Sequence, residues 1–348
     1  MQRLTYLYVR HRNYAIDRFK TDGHYALLGA LAEQYNLEVD IVLNNYAKAH
    51  HEFRDGRIRF IETPDIDHLV PGGIVWVRGM FKPSWTSWVD YWSQKRWFVM
   101  YAANTGRGSW PQWDVVLWDL ERINRWDVRT QKLWYYYRKP VSPKFRNLGL
   151  EERFDVCVGA SHIYDRKGQF RALPLCRRFK ELAGRDLRVV IPGAFYGRER
   201  QTEAMKKELL AGKWPNIVVP GMLPIDELVQ LFNTTRHFYA STCGGQGDRA
   251  TLEAMACGCR LIIGTQKPHA PYTYDNPFIS FTPETIQDTD AIAEYLAGPE
   301  LAGAYDRRSV SEYYQDQGST EAALENLRPL MEHLLANPKN PESLKELL

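Results

Sequence analysis

The stretch from Phe238 to Thr265, FYASTCGGQGDRATLEAMACGCRLIIGT, constrains the fold more than any other part of the chain. Phe238 to Ala240 reads as a short buried strand. A loop with Gly244, Gly245 and Gly247 follows, then strong helix formers from Ala250 to Cys257 with one acid, Glu253. Gly258 ends that helix, and Leu261 to Ile263 form the next strand. A strand, a glycine loop and a helix start make an anion site, because free backbone N–H groups and the helix dipole point at whatever sits there. The order places a phosphate near Gly245 to Arg249 and leaves Glu253 about one turn in, near a ribose.

The rest of the chain repeats this alternation. Strands are expected at Leu4–Val9, Val39–Leu43, Ile74–Val77, Trp97–Tyr101, Asp114–Trp118 and Lys132–Tyr137, with helices at His24–Tyr35 and Trp85–Gln94. Pro140, Pro143 and Gly149 mark a linker. A second series has strands at Phe154–Val158, Leu187–Ile191, Ile217–Val219 and His237–Ala240. Its helices fall at Gln169–Leu182, Glu199–Leu210 and Pro224–Phe232, with Pro224 in the first helical turn. Strands alternating with helices imply parallel sheets, so the expected class is α/β with two doubly wound domains and a ligand cleft between them. The expected boundaries are 1–140, a linker at 141–152, 153–318, and a C-terminal helix at 319–348 that crosses back onto the first domain.

At 348 residues the chain is long enough for two cores. Hydrophobic content of 44% and charged content of 25% are those of a globular protein. No apolar run approaches the ~20 residues that span a bilayer. The start, MQRLTYLYVR, lacks a signal peptide's apolar core, so the expected location is the cytoplasm. The five cysteines have no framework spacing and read as small buried thiols. Residues 1–140 carry 20 Lys and Arg against 15 Asp and Glu, and ten of the eleven tryptophans lie between Trp76 and Trp134. That basic, aromatic half is either core at helical spacing (Trp85, Trp88, Trp92) or a stacking platform with cations for phosphates.

TLEAMACGCRLIIGT resembles the E-A-M-A-x-G-x-P-V-I segment of family-four glycosyltransferases, which have the GT-B fold of two Rossmann-like domains. VCVGASHIYDRKGQF, Val156 to Phe170, resembles the V-G-R-L-x-x-x-K-G opening of that family's second domain. The resemblance covers 154–265 well and the first half in outline. It implies that Glu253 holds the ribose of a nucleotide-sugar and that Lys167 meets the donor diphosphate. The family's arginine is Ala160 here, so Arg166 or Arg249 would supply the missing charge. The glutamate that touches the donor sugar eight residues before the ribose glutamate is replaced by Gly245. The implied donor site is Gly159, Arg166, Lys167, Gly193, Met222, Leu223, Gly245, Gln246, Gly247, Asp248, Arg249 and Glu253. Met222 and Leu223 would flank a uracil, while Pro224 and Leu228 read as core. Lys167 and Arg249 stabilise charge on the leaving nucleoside diphosphate.

The first domain is expected to hold the acceptor. Thr21-Asp22-Gly23-His24 precedes the first helix. Asp22 is either its N-cap or, with His24, an acceptor contact or general base. Arg78, Lys82, Asn104, Arg107 and Trp110 complete the acceptor set. The expected activity is transfer of a sugar from a nucleotide-sugar, UDP-linked, to a hydroxyl, without metal or other cofactor and with retention implied by the resemblance. Two acceptors stay open: a saccharide or glycan, and a 5-hydroxymethylated pyrimidine in DNA. The alternative class is a GT-B epimerase or a catalytically silent nucleotide-sugar binder. Oligomeric state is not read from the sequence.

Overall fold

The computed structural model describes residues 2–9, 19–44, 50–79, 83–101, 112–118, 124–159, 162–241, 249–263, 278–281, 288–298 and 305–348. The chain divides into two compact units, Met1–Ser142 with Ser319–Leu348, and Pro143–Gly318.

The first unit is built on β1 (Arg3–Val9), β2 (Glu38–Asn44), β3 (His51–Asp55), β4 (Ile58–Thr63), β5 (Ile74–Gly79), β6 (Trp97–Tyr101), β7 (Val115–Trp118), β8 (Arg125–Asp127) and β9 (Lys132–Tyr136). They form one sheet in the order β3-β4-β2-β1-β5-β6-β7-β9-β8. Pairing is parallel throughout except at the two edges, where β3 and β8 turn back antiparallel on β4 and β9. The central strands are apolar at nearly every position because both faces are covered. Alternate side chains go to opposite layers. Tyr6, Tyr8 and Trp76 enter a core with helix α1 (Gly23–Gln34) and the C-terminal helix Thr320–Ala336. Leu7, Val75 and Val77 enter a second core with Trp85 and Trp88 at helix α2 (Thr86–Ser93).

Those two layers account for five of the tryptophans. Trp76, Trp85, Trp88, Trp97 and Trp113 are 1–5% exposed. The stacking-platform reading therefore fails for these rings, and burial of large apolar area explains them. The C-terminal segment is held by more than packing. Lys339 donates to the buried Asp114 carboxylate at 2.6 Å, and Tyr135 Oη donates to the Asn326 carbonyl at 2.8 Å.

The second unit has a parallel sheet in the order β14-β12-β10-β15-β16-β17. Its strands are β10 (Phe154–Val158), β12 (Val189–Pro192), β14 (Ile217–Gly221), β15 (Thr235–Tyr239), β16 (Arg260–Ile262) and β17 (Ile279–Phe281), with a two-stranded ribbon of β11 (His162–Ile163) and β13 (Ala194–Phe195). The connecting helices are α3 (Ala172–Ala183), α4 (Arg200–Leu210), α5 (Ile225–Asn233), α6 (Arg249–Ala256), α7 (Thr289–Ala297) and α8 (Arg307–Gly318). In order of appearance the strands stand third, second, first, fourth, fifth, sixth, the doubly wound arrangement of nucleotide-binding sheets.

Several expectations change in detail. The helix expected from Gln169 begins as a 3-10 turn, Gln169–Arg171, and becomes α-helical at Ala172. Pro224 stands at the N-cap of α5 rather than in its first turn, and it is exposed rather than core. The hairpin of β3 and β4 was not expected from the sequence.

His237 on β15 is fully buried, with Nδ1 3.3 Å from the Asp155 carbonyl. Burial pushes its pKa from 6.5 down to about 3. The unfolded chain therefore takes up a proton that the folded chain refuses between those values, so stability falls as pH drops through that window. Between pH 7 and pH 5 this group alone should remove roughly 2 kcal/mol of unfolding free energy. Urea unfolding of His237→Leu should show a correspondingly smaller loss over the same pH range than the wild type.

Candidate functional site

In doubly wound sheets a ligand sits outside the carboxyl ends of the strands, where the strand order reverses. In the second unit that point lies between β10 and β15, which pair in parallel with Val158 opposite Tyr239. β10 runs into Gly159, whose backbone N–H donates to the Tyr239 carbonyl at 3.0 Å. Lys167 follows on the 3-10 turn Asp165–Lys167, which also carries Arg166. That turn is tied to the start of α4. The Asp165 carboxylate accepts from Thr202 N at 2.7 Å, Thr202 Oγ1 at 2.6 Å and Gln201 N at 3.2 Å. Asp165 thus caps α4, a task Glu199 at the N-cap position leaves undone. Partial burial would raise the Asp165 carboxyl, but the Thr202 bonds outweigh it and hold the pKa below its ordinary value.

From β15 the chain passes through Ala240 and Ser241, both buried, and re-enters the described residues at Arg249 in α6. Every residue of α6 from Ala250 to Ala256 is buried. Glu253 is 9% exposed, and its Oε1 lies 3.1 Å from Arg249 Nε, one turn away. The two residues expected at the ribose and the diphosphate are therefore each other's partners here. Such a pair orients a carboxylate that burial would otherwise disfavour.

Gly193 closes β12, with its N–H donating to the Gly221 carbonyl at 2.8 Å. Met222 is 44% exposed and Leu223 is half-buried just beyond β14. Gly245, Gln246, Gly247 and Asp248 lie outside the described residues, as do Ala160 and Cys243. Sequence reasoning did not single out Ser241, Gln169 or Arg171, all of which are buried at this switch point. The available signal was two polar residues, Gln169 and Arg171, opening a helix whose buried face is otherwise apolar.

The first unit has its own reversal between β1 and β5. Asp22, 4% exposed, accepts from His24 N at 2.9 Å and so caps α1. The same carboxylate accepts from Arg78 Nη1 at 3.1 Å, on its other oxygen. His24 Nδ1 stands 3.1 Å from Asp22 Oδ1. An ionised carboxylate only accepts, so the ring proton belongs on Nδ1. Burial, reinforced by the Arg78 charge, pushes the His24 pKa down to about 3. The imidazole is neutral at pH 7, 1% exposed, and tilted against the rings of Tyr101 and Tyr137. Asp22, His24 and Arg78 are thus brought together as one buried group. Lys82, Asn104, Arg107 and Trp110 lie outside the described residues.

Among the described residues no three His, Cys, Asp or Glu side chains are grouped to hold a metal ion. Likewise, no described helix is long and apolar enough to cross a membrane.

This architecture, with parallel sheets in two Rossmann-like units, is the GT-B glycosyltransferase fold. Three solved structures illustrate it. A glycosyltransferase from Rickettsia africae superimposes with a TM-score of 0.67 at 14% identity, covering 97% of this chain and 99% of that one. The trehalose-6-phosphate protein of E. coli, bound with UDP-2-fluoro glucose, gives 0.64 at 12% identity over 97% and 100% of the two chains. Sucrose-phosphate synthase from Thermosynechococcus elongatus gives 0.63 at 12% identity over 96% and 100%. No protein-family model and no curated protein matches the sequence.

Replacing Asp22 removes a helix cap and strands the buried Arg78 charge. Asp22→Ala should lower the unfolding free energy by roughly 3–5 kcal/mol. Asp22→Asn should lose less, because its carbonyl still caps α1. Urea unfolding of the two variants beside the wild type measures both values.

Proposed function

We propose that the chain is a glycosyltransferase that moves a sugar from a UDP-linked donor to a hydroxyl of a saccharide acceptor. The observation that supports this reading is the bond from Ser241 Oγ to the Lys167 carbonyl where β10 and β15 pair in parallel, with the Arg249–Glu253 pair on the helix that follows β15. Lys167 and the start of α6 face the diphosphate, where backbone N–H groups and the helix dipole favour negative charge. Glu253, held by Arg249, takes the ribose hydroxyls. Met222 and Leu223 lie against the base. In the reaction the bond from the sugar's anomeric carbon to the diphosphate breaks, and a bond to the acceptor oxygen forms. The acceptor proton passes to a departing phosphate oxygen, giving retention without a resident metal. Lys167 steadies the charge that builds on the leaving group, where exclusion of water makes a fixed cation most effective.

Two observations favour a saccharide over DNA. Of the tryptophans that would stack on an unpaired base, Trp85, Trp88, Trp97 and Trp113 are core residues. Structural neighbours across the whole chain include proteins named for sugar phosphates. In the first unit, Arg78 fixed by Asp22 is the acceptor contact, and neutral His24 orients that carboxylate.

Calorimetric titration with UDP and UDP-sugars tests the assignment. The wild type should bind UDP, and Lys167→Ala should bind it about tenfold more weakly, as expected for loss of one charge-assisted contact of about 1.4 kcal/mol. Glu253→Ala should lose donor binding with the fold intact. Slow donor hydrolysis separates a transferase from a silent binder: UDP-sugars that bind but are never cleaved, whatever acceptor is offered, contradict the transferase reading. Salt-sensitive binding of duplex DNA would return the acceptor to DNA.

A further inference from the structure

Ser241 is bound on both sides by the segment that follows β10, although about seventy residues separate them. Its Oγ donates to the Lys167 carbonyl at 2.9 Å. Its own carbonyl accepts from Arg171 Nη1 at 2.9 Å. Arg171 N–H in turn donates to the Gly168 carbonyl at 3.1 Å, closing the turn on itself. Ser241 is 0% exposed and Arg171 is 7% exposed, so these bonds are shielded from water and from competition by it.

Glycine makes the arrangement possible. Gly168 has φ +74°, and a Cβ there would collide with Arg171 Nη1 and the Ser241 carbonyl. The guanidinium occupies the space a side chain at 168 would need. Gly159, at the end of β10 with φ +60°, would place a Cβ only 3.4 Å from Ser241 Oγ. Gln169 completes the floor: it is fully buried, and its Nε2 donates to the His162 carbonyl at 3.0 Å.

The positions of these residues give the bonds a purpose beyond packing. Lys167 is, with Arg166, a cation of the turn, and Ser241 is the last described residue before the glycine loop. A bond between them fixes the lysine turn against the end of β15 before any ligand arrives. A site is strongest when its supporting bonds are already made.

We propose that Ser241 and Arg171 are positioning residues of the donor site, locking the Lys167 turn to the chain that leaves β15 so that a nucleoside diphosphate meets Lys167 already in place. The inference rests on the donor-site reading given above. Arg171 suits the task because its planar fork can hold a carbonyl while its charge stays fixed beneath the turn, a geometry lysine does not reproduce.

The test is a double-mutant cycle read by calorimetric titration with UDP, with thermal unfolding as a control. Ser241→Ala should weaken UDP binding about 3- to 10-fold, the range of one hydrogen bond, with little change in thermal midpoint. In a Lys167→Ala background the same substitution should change UDP affinity less than about twofold, because Ser241 acts through that turn. Arg171→Lys should behave like Ser241→Ala, which keeps the inference testable should Ser241→Ala not fold. Wild-type UDP affinity in Ser241→Ala and Arg171→Lys, or full multiplication of the losses in the double variant, overturns the inference alone. No UDP binding by the wild type overturns the donor-site reading and the inference with it.

Discussion

Parallel pairing of β10 with β15 is the constraint on which the rest of the second unit depends. It brings together residues about eighty apart in sequence, with Val156 opposite His237 and Val158 opposite Tyr239. Strands of this kind are covered on both faces, so their side chains give up water. The buried thiols of Cys157 and Cys259 and the neutral imidazole of His237 follow from that, each with its pKa displaced by burial. At the carboxyl ends the same pairing leaves two adjacent chain exits, one leading to Lys167 and the other through Ser241 to α6. Ser241 bonds the first exit through the Lys167 carbonyl and Arg171, and the donor site proposed above rests on that adjacency.

The first unit solves a similar problem with charge. Its switch point lies over a core of Tyr6, Tyr8, Trp76, Tyr101 and Tyr137. Asp22 serves at once as helix cap, partner of Arg78 and partner of His24. A buried carboxylate with several donors is tolerated where an isolated one would be neutralised. That sharing also decides the role of His24. With Nδ1 committed to Asp22 and the ring buried, it orients its neighbours rather than meeting solvent.

Much of this is legible in the sequence, and the reasons differ from place to place. The alternation of apolar strands with helices yields the doubly wound class because both-face burial leaves continuous apolar runs such as Val156 to Val158. The sequence places Lys167-Gly168 after β10 and Glu253 on the helix after β15, and the structure has them on those elements. The hairpin of β3 and β4 is not legible, since His51 to Asp55 is an exposed edge strand with no apolar signal. Ser241 and Arg171 escape for another reason. Their importance lies in bonds to backbone carbonyls far away in sequence, and spacing carries no record of those. Trp76 shows the opposite limit: clustering in sequence is equally compatible with core and surface, and only its alternation with Val75 and Val77 across the sheet assigns it to the core.

The most direct test of the account is amide hydrogen exchange with and without UDP. The account predicts slowed exchange on UDP addition concentrated in two stretches, 159–171 and 241–256, with β14 and Met222 affected less. Slowed exchange elsewhere in the chain, with those two stretches unchanged, would contradict it.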